Sequence, residues 1–179
     1  MGLSVKLRGE SVATFRYIHV DLMETLAQWT PTTPEMEVKL LFGEHIWDVA
    51  QMADALGRRT QELRLPLQHS LKPVDAYVHL LAQVREEKST PRRLAGFYDG
   101  LLPGLAARYQ QYLEQTDRLM DAPTVRIVEQ MRDVESRMME QSRKLRADLP
   151  ALAADTNGWL DTLRARDAEI GDVVAVHDD

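Results

Sequence analysis

The stretch that most constrains the fold is Glu35 to Leu65, EMEVKLLFGEHIWDVAQMADALGRRTQELRL, which contains no proline and has Gly43 near mid-length. As one helix of about thirty residues it would span about 45 Å at ~1.5 Å per residue. Val38, Leu41, Phe42, His45, Val49, Met52 and Leu56 recur at three- and four-residue steps, so they form one inward stripe. Two polar groups disturb it: His45 sits in the middle of the apolar row and Asp48 on its edge. What those two groups face is central to any function the chain has.

The rest of the chain is written in the same style. Its 179 residues suit one domain with a proper core, and they are 44% hydrophobic, 28% charged and only 6% aromatic. Alanine, leucine, arginine, glutamate and methionine favour helix, and strand signals are lacking, so the expected fold is all-α. A net charge of −6 argues against a nucleic-acid partner. The pairs Arg58-Arg59 and Arg92-Arg93 read as solvated helix faces or helix ends. The absence of cysteine excludes disulfides, thiolate metal sites and cysteine nucleophiles, and is compatible with a cytoplasmic location. No apolar run approaches the length of a membrane span or a signal peptide's core.

Prolines punctuate the remainder. Residues 1–9 read as a lead-in and residues 11–29 as the first helix, with Ser11 as N-cap and a stripe of Val12, Phe15, His19, Leu22, Leu26 and Trp29. The break Thr30–Pro34 makes a tight hairpin, with Thr33 capping a second helix over 34–65 and Pro34 at its first position. Residues 66–90 form a long crossover containing a short helix, about Val74 to Glu87. A third helix covers 91–119, bent around Asp99–Gly104. After the turn Asp121–Thr124 a fourth helix covers 123–147, with the stripe Val128, Met131, Glu135, Met138, Ser142 and Leu145. An extra helix occupies 150–166 and a tail 167–179. Two hairpins of long helices joined by one long crossover is the ferritin-like arrangement.

The runs WTPTTPEMEVKLLFGEHIWDVAQMADALGRRTQELR, LAGFYDGLLPGLAARYQQYL and DAPTVRIVEQMRDVESRM resemble a group of bacterial ferritin-like proteins, over about Phe15 to Met139. The resemblance implies a di-iron or di-manganese carboxylate scaffold, in which two helices each give a glutamate and two others each give a Glu-x-x-His pair. This chain departs from that pattern. Trp47–Ala53 reads WDVAQMA, which puts Met52 in the imidazole place and Val49 in the acid place three residues earlier. In the fourth helix Glu135 keeps the acid, but Met138 stands where histidine is implied, and His19 takes the acid place of the first helix. A thioether is a poor ligand for the ions such a scaffold holds. A standard di-metal centre is therefore not expected, and neither a metal nor another cofactor is assigned.

The polar groups left facing inward are His19, His45, Asp48 and Glu135, with Tyr109 or Tyr112 from the third helix, all expected at one central level. A buried histidine–carboxylate set suits general acid–base chemistry, because burial and pairing bring pKa values toward neutrality. The expectation is a metal-independent enzyme of isomerase, cyclase or dehydratase type in a specialised biosynthetic pathway. It would bind a small organic molecule among Tyr109, Tyr112, Met52, Met138, Val49 and Phe42, with catalysis by His45, Glu135, His19 and Asp48. Two alternatives stay open: a metal-dependent oxygenase or oxidase on a rearranged His19, His45, Asp48 and Glu135 set, and a non-catalytic interaction subunit, such as a homodimer through a bundle face. A further reading of the same residues is a vestigial metal site repacked into a satisfied network.

Overall fold

The computed structural model of the chain describes residues 2–152 and 156–175, without the side chain of Asn157, and these residues contain helices and connecting turns but no strand. Helix α1 is Val5–Trp29, and α2 is Met36–Glu62. Helix α3 (Asp75–Arg85) lies in the crossover. Helix α4 (Thr90–Leu94) passes through a π-helical segment, Ala95–Leu101, into α5 (Leu102–Gln115). Helix α6 is Ala122–Asp148 and α7 is Asn157–Ile170.

The extra helix expected over 150–166 is a single 3-10 turn at Pro150–Leu152 and then α7 from Asn157, and the starts of α1 and α2 differ from expectation for local reasons. Ser4 caps α1 by accepting from the Leu7 amide at 3.2 Å, so the expected lead-in is helical from Val5. Ser11 lies inside the helix and donates to the Leu7 carbonyl at 2.8 Å. Thr33 does not cap α2, because its buried hydroxyl donates back to the Trp29 carbonyl at 2.9 Å. Glu35 takes the N-cap position, and its Oε2 accepts from Thr90 Oγ1 at 2.9 Å, tying the start of α2 to the start of α4.

The hairpin α1–α2 is antiparallel. Trp29 stacks near Phe42 at one end (5.7 Å between rings), and Gly9 lies against Leu63 and Leu65 at the other. Helix α6 runs antiparallel to α2, since Arg59 meets Thr124 while Asp48 meets Arg137. It is also antiparallel to α5: Gln110 pairs with Arg132 while Asp99 pairs with Arg146. Aromatic contacts complete the circuit, with Phe15 against Tyr109 and Tyr112, and Trp29 against Phe97. The four long helical segments thus form a ring in the order α1, α2, α6, α5, every neighbour antiparallel. The stripes read from the sequence fill its centre: the named positions of α1, α2 and α6 are buried, apart from Leu145, which is half-buried.

The interruption expected around Asp99–Gly104 is a wider helical turn that starts earlier, at Ala95, and leaves the helix unbroken. It sets Gly96 and Gly100 on one face as a seat for α7. A methyl at Gly96 would meet the Trp159 ring, and one at Gly100 would come within 2.6 Å of Leu163. The expected tail is partly structural. Asp167, on α7, pairs with Arg108, and beyond the helix Val173 is buried, its carbonyl accepting from the Val74 amide at 3.0 Å. Residues 153–155 and 176–179 of the expected extra helix and tail lie outside the described residues. No helix among the described residues is long and apolar enough to cross a membrane. Gly96→Ala should destabilise the fold by about 1–3 kcal/mol in urea unfolding, because the seat is already filled. An unchanged midpoint would refute this packing of α7.

Candidate functional site

The centre of the ring holds three fully buried polar side chains from three helices: His19 (α1), Tyr109 (α5) and Glu135 (α6). His19 Nδ1 is 2.8 Å from the Phe15 carbonyl oxygen, which can only accept, so this nitrogen carries a hydrogen and donates. His19 Nε2 lies 3.3 Å from Glu135 Oε1 and 3.2 Å from the Tyr109 hydroxyl. Tyr109 also lies 3.2 Å from Glu135 Oε1, to which it donates. A proton on either Nε2 or Oε1 would therefore bridge the two atoms. Burial pushes the Glu135 carboxyl above its usual range, while its hydrogen bond with His19, the His19 charge and the Tyr109 hydrogen bond act in the opposite sense. Burial likewise raises Tyr109 well above a free phenol, so it stays a donor. The second oxygen, Glu135 Oε2, is buried and finds no hydrogen-bond partner among the described residues. Such an orphan acceptor costs about 1–3 kcal/mol.

His45 does not join this group. Its ring bridges Tyr98, in the π-helical segment, at Nδ1 (2.7 Å) and Gln141 Oε1 at Nε2 (2.9 Å). Gln141 spends its amide hydrogen on Glu44 Oε1 (2.9 Å), so its oxygen faces His45 and accepts. His45 thus donates from Nε2 and accepts at Nδ1 from Tyr98. The result is a one-way chain from the buried Tyr98 through His45 and Gln141 to the exposed Glu44. Burial lowers the His45 pKa, although its Gln141 hydrogen bond and the nearby Glu44 and Asp48 charges raise it. The imidazole is neutral at pH 7.

The single polar level expected from the sequence is therefore two levels. Gln141 and Glu135 are six residues apart on α6, about 9 Å along the axis. Asp48 is not a core group, since it sits at the α2–α6 edge and pairs with Arg137 at 3.0 Å. Tyr112 belongs to a third cluster at the turn before α6. There the buried Asp121 accepts from Tyr112 (2.6 Å), Thr116 (2.8 Å), Thr124 (2.6 Å) and Arg59 (3.1 Å). Met52, Met138, Val49 and Phe42 are all buried, and Phe42 packs on Trp29. Arg59 and Arg93, expected at the surface, are buried as well. Arg59 holds Asp121, while Arg93 lies over Trp29 and bonds Thr33 and the Glu87 carbonyl.

Sequence reasoning missed Tyr98, Gln141, Arg137 and Asp121. The last had a readable signal, a carboxylate at the N-cap position before Pro123. Gln141 and Arg137 lie off the buried stripe of α6, so periodicity does not point to them.

Whether these residues suit the two metal ions implied by a ferritin-like scaffold can be judged from the donor set. The central level offers one carboxylate and one imidazole, already joined to each other, among methionine, valine and tyrosine. That set does not fit a di-metal centre. The rearranged set is divided between the two levels. Glu44, His45 and Asp48 do bring ligand atoms within 4.8 Å of one another, but Arg137 already lies against both acids and both His45 nitrogens have partners.

Between α2 and α6 a cavity of about 270 Å³ opens to solvent, lined by Asp48, Gln51, Met52, Ala55, Ile127, Gln130, Met131 and Val134. Met52 and Met131 are its buried members, and Met131 stands one turn before Glu135 on α6. Asp48 Oδ2, on its rim, has no hydrogen-bond partner. Comparison of the chain with family models, with curated proteins and with solved structures finds no match.

The two histidines should carry opposite tautomers. Long-range ¹⁵N NMR is expected to show His45 protonated at Nε2, with a midpoint below about 6.5, and His19 protonated at Nδ1. An Nδ1-protonated neutral His45 would contradict the Tyr98–His45–Gln141–Glu44 chain. Glu135 gives a second prediction. A carboxyl whose folded pKa is raised stabilises fully below the unfolded value and loses that contribution as pH rises through the folded value. The stability of the wild type relative to Glu135→Gln should therefore fall from pH 4 toward pH 8 in urea titrations. A gap that widens with pH would mean that the carboxylate form is the stabilised one.

Proposed function

We propose that the chain is a ferritin-like four-helix bundle that has exchanged its metal centre for a metal-free acid–base pair, Glu135 and His19, and that it binds a small organic molecule there. The ring of antiparallel neighbours and the single long crossover support the bundle reading. One observation carries the functional reading: among the described residues nothing partners one fully buried oxygen of Glu135, while the other lies 3.3 Å from His19 Nε2. A ligand hydroxyl or amine would satisfy Oε2, and the adjoining carboxyl–imidazole pair would then accept or return a proton beside it.

The α2–α6 cavity is the proposed approach. Met52 and Met131 close its inner side, and unbranched thioether chains repack easily enough to admit a small molecule. The chemistry that suits such a centre moves a proton from one substrate atom to another, as in isomerisation, cyclisation or dehydration. It consumes no oxidant or reductant. A chain without cysteine suits the cytoplasm as its place of action.

The test uses a panel of monocyclic alcohols, each with its methyl ether, followed through the ¹³C methyl signals of Met52, Met131 and Met138. Alcohols should shift these signals and bind about tenfold or more tightly than their ethers, since an ether has no hydrogen to give Oε2. Glu135→Gln, with unchanged circular dichroism, should remove that preference. Shifts equal for alcohol and ether, or none for any alcohol, would overturn the proposal.

A further inference from the structure

The outer face of α2 is unlike the outer faces of an ordinary soluble helix. Met36, Leu40 and Trp47 lie in one row at helical spacing and are 61%, 68% and 67% exposed. Gly43 completes the row between Leu40 and Trp47. These side chains expose on the order of 400 Å² of contiguous apolar surface, the size of the largest patch on a typical monomer and commonly functional.

Gly43 is the second observation. A glycine inside a helix costs about 0.5–1 kcal/mol relative to alanine, and is kept where a backbone must be approached closely. Among the described residues nothing approaches it, because a Cβ added there would find no atom within 4 Å. The contrast with Gly57 and Gly96 is direct, since both are pressed by neighbouring side chains. Gly43 is a notch that the single chain leaves open.

We infer that this face of α2 is the contact surface for a second copy of the chain, packed antiparallel about a two-fold axis that crosses α2 midway between Gly43 and Trp47. The occupant follows from the order of the row. The protruding Trp47 and the notch at Gly43 are one turn apart, and Leu40 lies almost as far on the other side. Turning a second helix about that axis sets each Trp47 over the opposite Gly43 and against the opposite Leu40. One surface then supplies both knob and hole, which is the requirement of an isologous interface. Area agrees with this. A stable interface buries about 800 Å² per partner, of which a little over half is apolar. The row provides nearly that apolar share, and Glu37, Glu44 and Gln51, exposed beside it, provide a polar rim. His45 lies on the opposite side of α2, so the interface leaves the buried centre untouched.

Sedimentation velocity of the full chain over about 1–100 µM tests the inference. The wild type should pass from monomer to dimer within that range. Trp47→Glu and Gly43→Leu should each remain monomeric at the highest concentration. Both should keep the circular dichroism of the wild type, since Trp47 is exposed and the space beyond Gly43 is empty within one chain. A wild type that is monomeric throughout, or a dimer that survives either substitution, overturns the inference.

Discussion

The contact on which the rest of the structure turns is the one between His19, Tyr109 and Glu135. A carboxyl group with no solvent exposure is costly to bury unless something supplies its hydrogen bonds. Here the phenol of α5 and the imidazole of α1 converge on the acid of α6, and the imidazole is itself oriented by a carbonyl one turn back on its own helix. Three helices must be in register within hydrogen-bonding distance for the group to be stable. The contact therefore fixes how α1, α5 and α6 stand relative to one another, which apolar packing alone does loosely.

A second polar layer lies nearer the α2–α6 edge and has a different character. The Tyr98–His45–Gln141–Glu44 chain is satisfied at each step and leads outward, so it can order α2, α6 and the π-helical segment without leaving a buried charge. At the other end, Asp121 collects four donors and closes the turn into α6. Among the described residues the central layer leaves the fully buried Glu135 Oε2 unpartnered, whereas the donors and acceptors named in the other two layers meet one another, and that makes the central layer the candidate centre of chemistry.

Much of this was legible in the residues. Steps of three and four placed His19, His45 and Glu135 on buried faces because periodicity within a helix is a local property. Proline pairs and composition marked the long helices and their order. Levels were harder to read. Whether His45 meets Glu135 or Gln141 depends on the axial offset between α2 and α6, which is set by packing across the ring. Asp48 looked inward on the helical wheel, yet Arg137 from the neighbouring helix offers it a better partner at the edge. Arg59 and Arg93 looked solvated because their buried partners, Asp121 and Trp29, are far away in the sequence. The earlier start of α1 and the displaced cap of α2 came from Ser4 and Glu35, seven residues before and two residues after the expected caps, a choice open only with the neighbouring backbone in view.

The central proposal is that the His19–Glu135 pair stands where a ferritin-like bundle would hold its ions. Its most direct test is the iron and manganese content of the chain after expression with both metals in excess, by inductively coupled plasma mass spectrometry. The expected result is far less than one equivalent of either metal, unchanged by Glu135→Gln. One or two tightly held equivalents, lost on that substitution, would contradict the account.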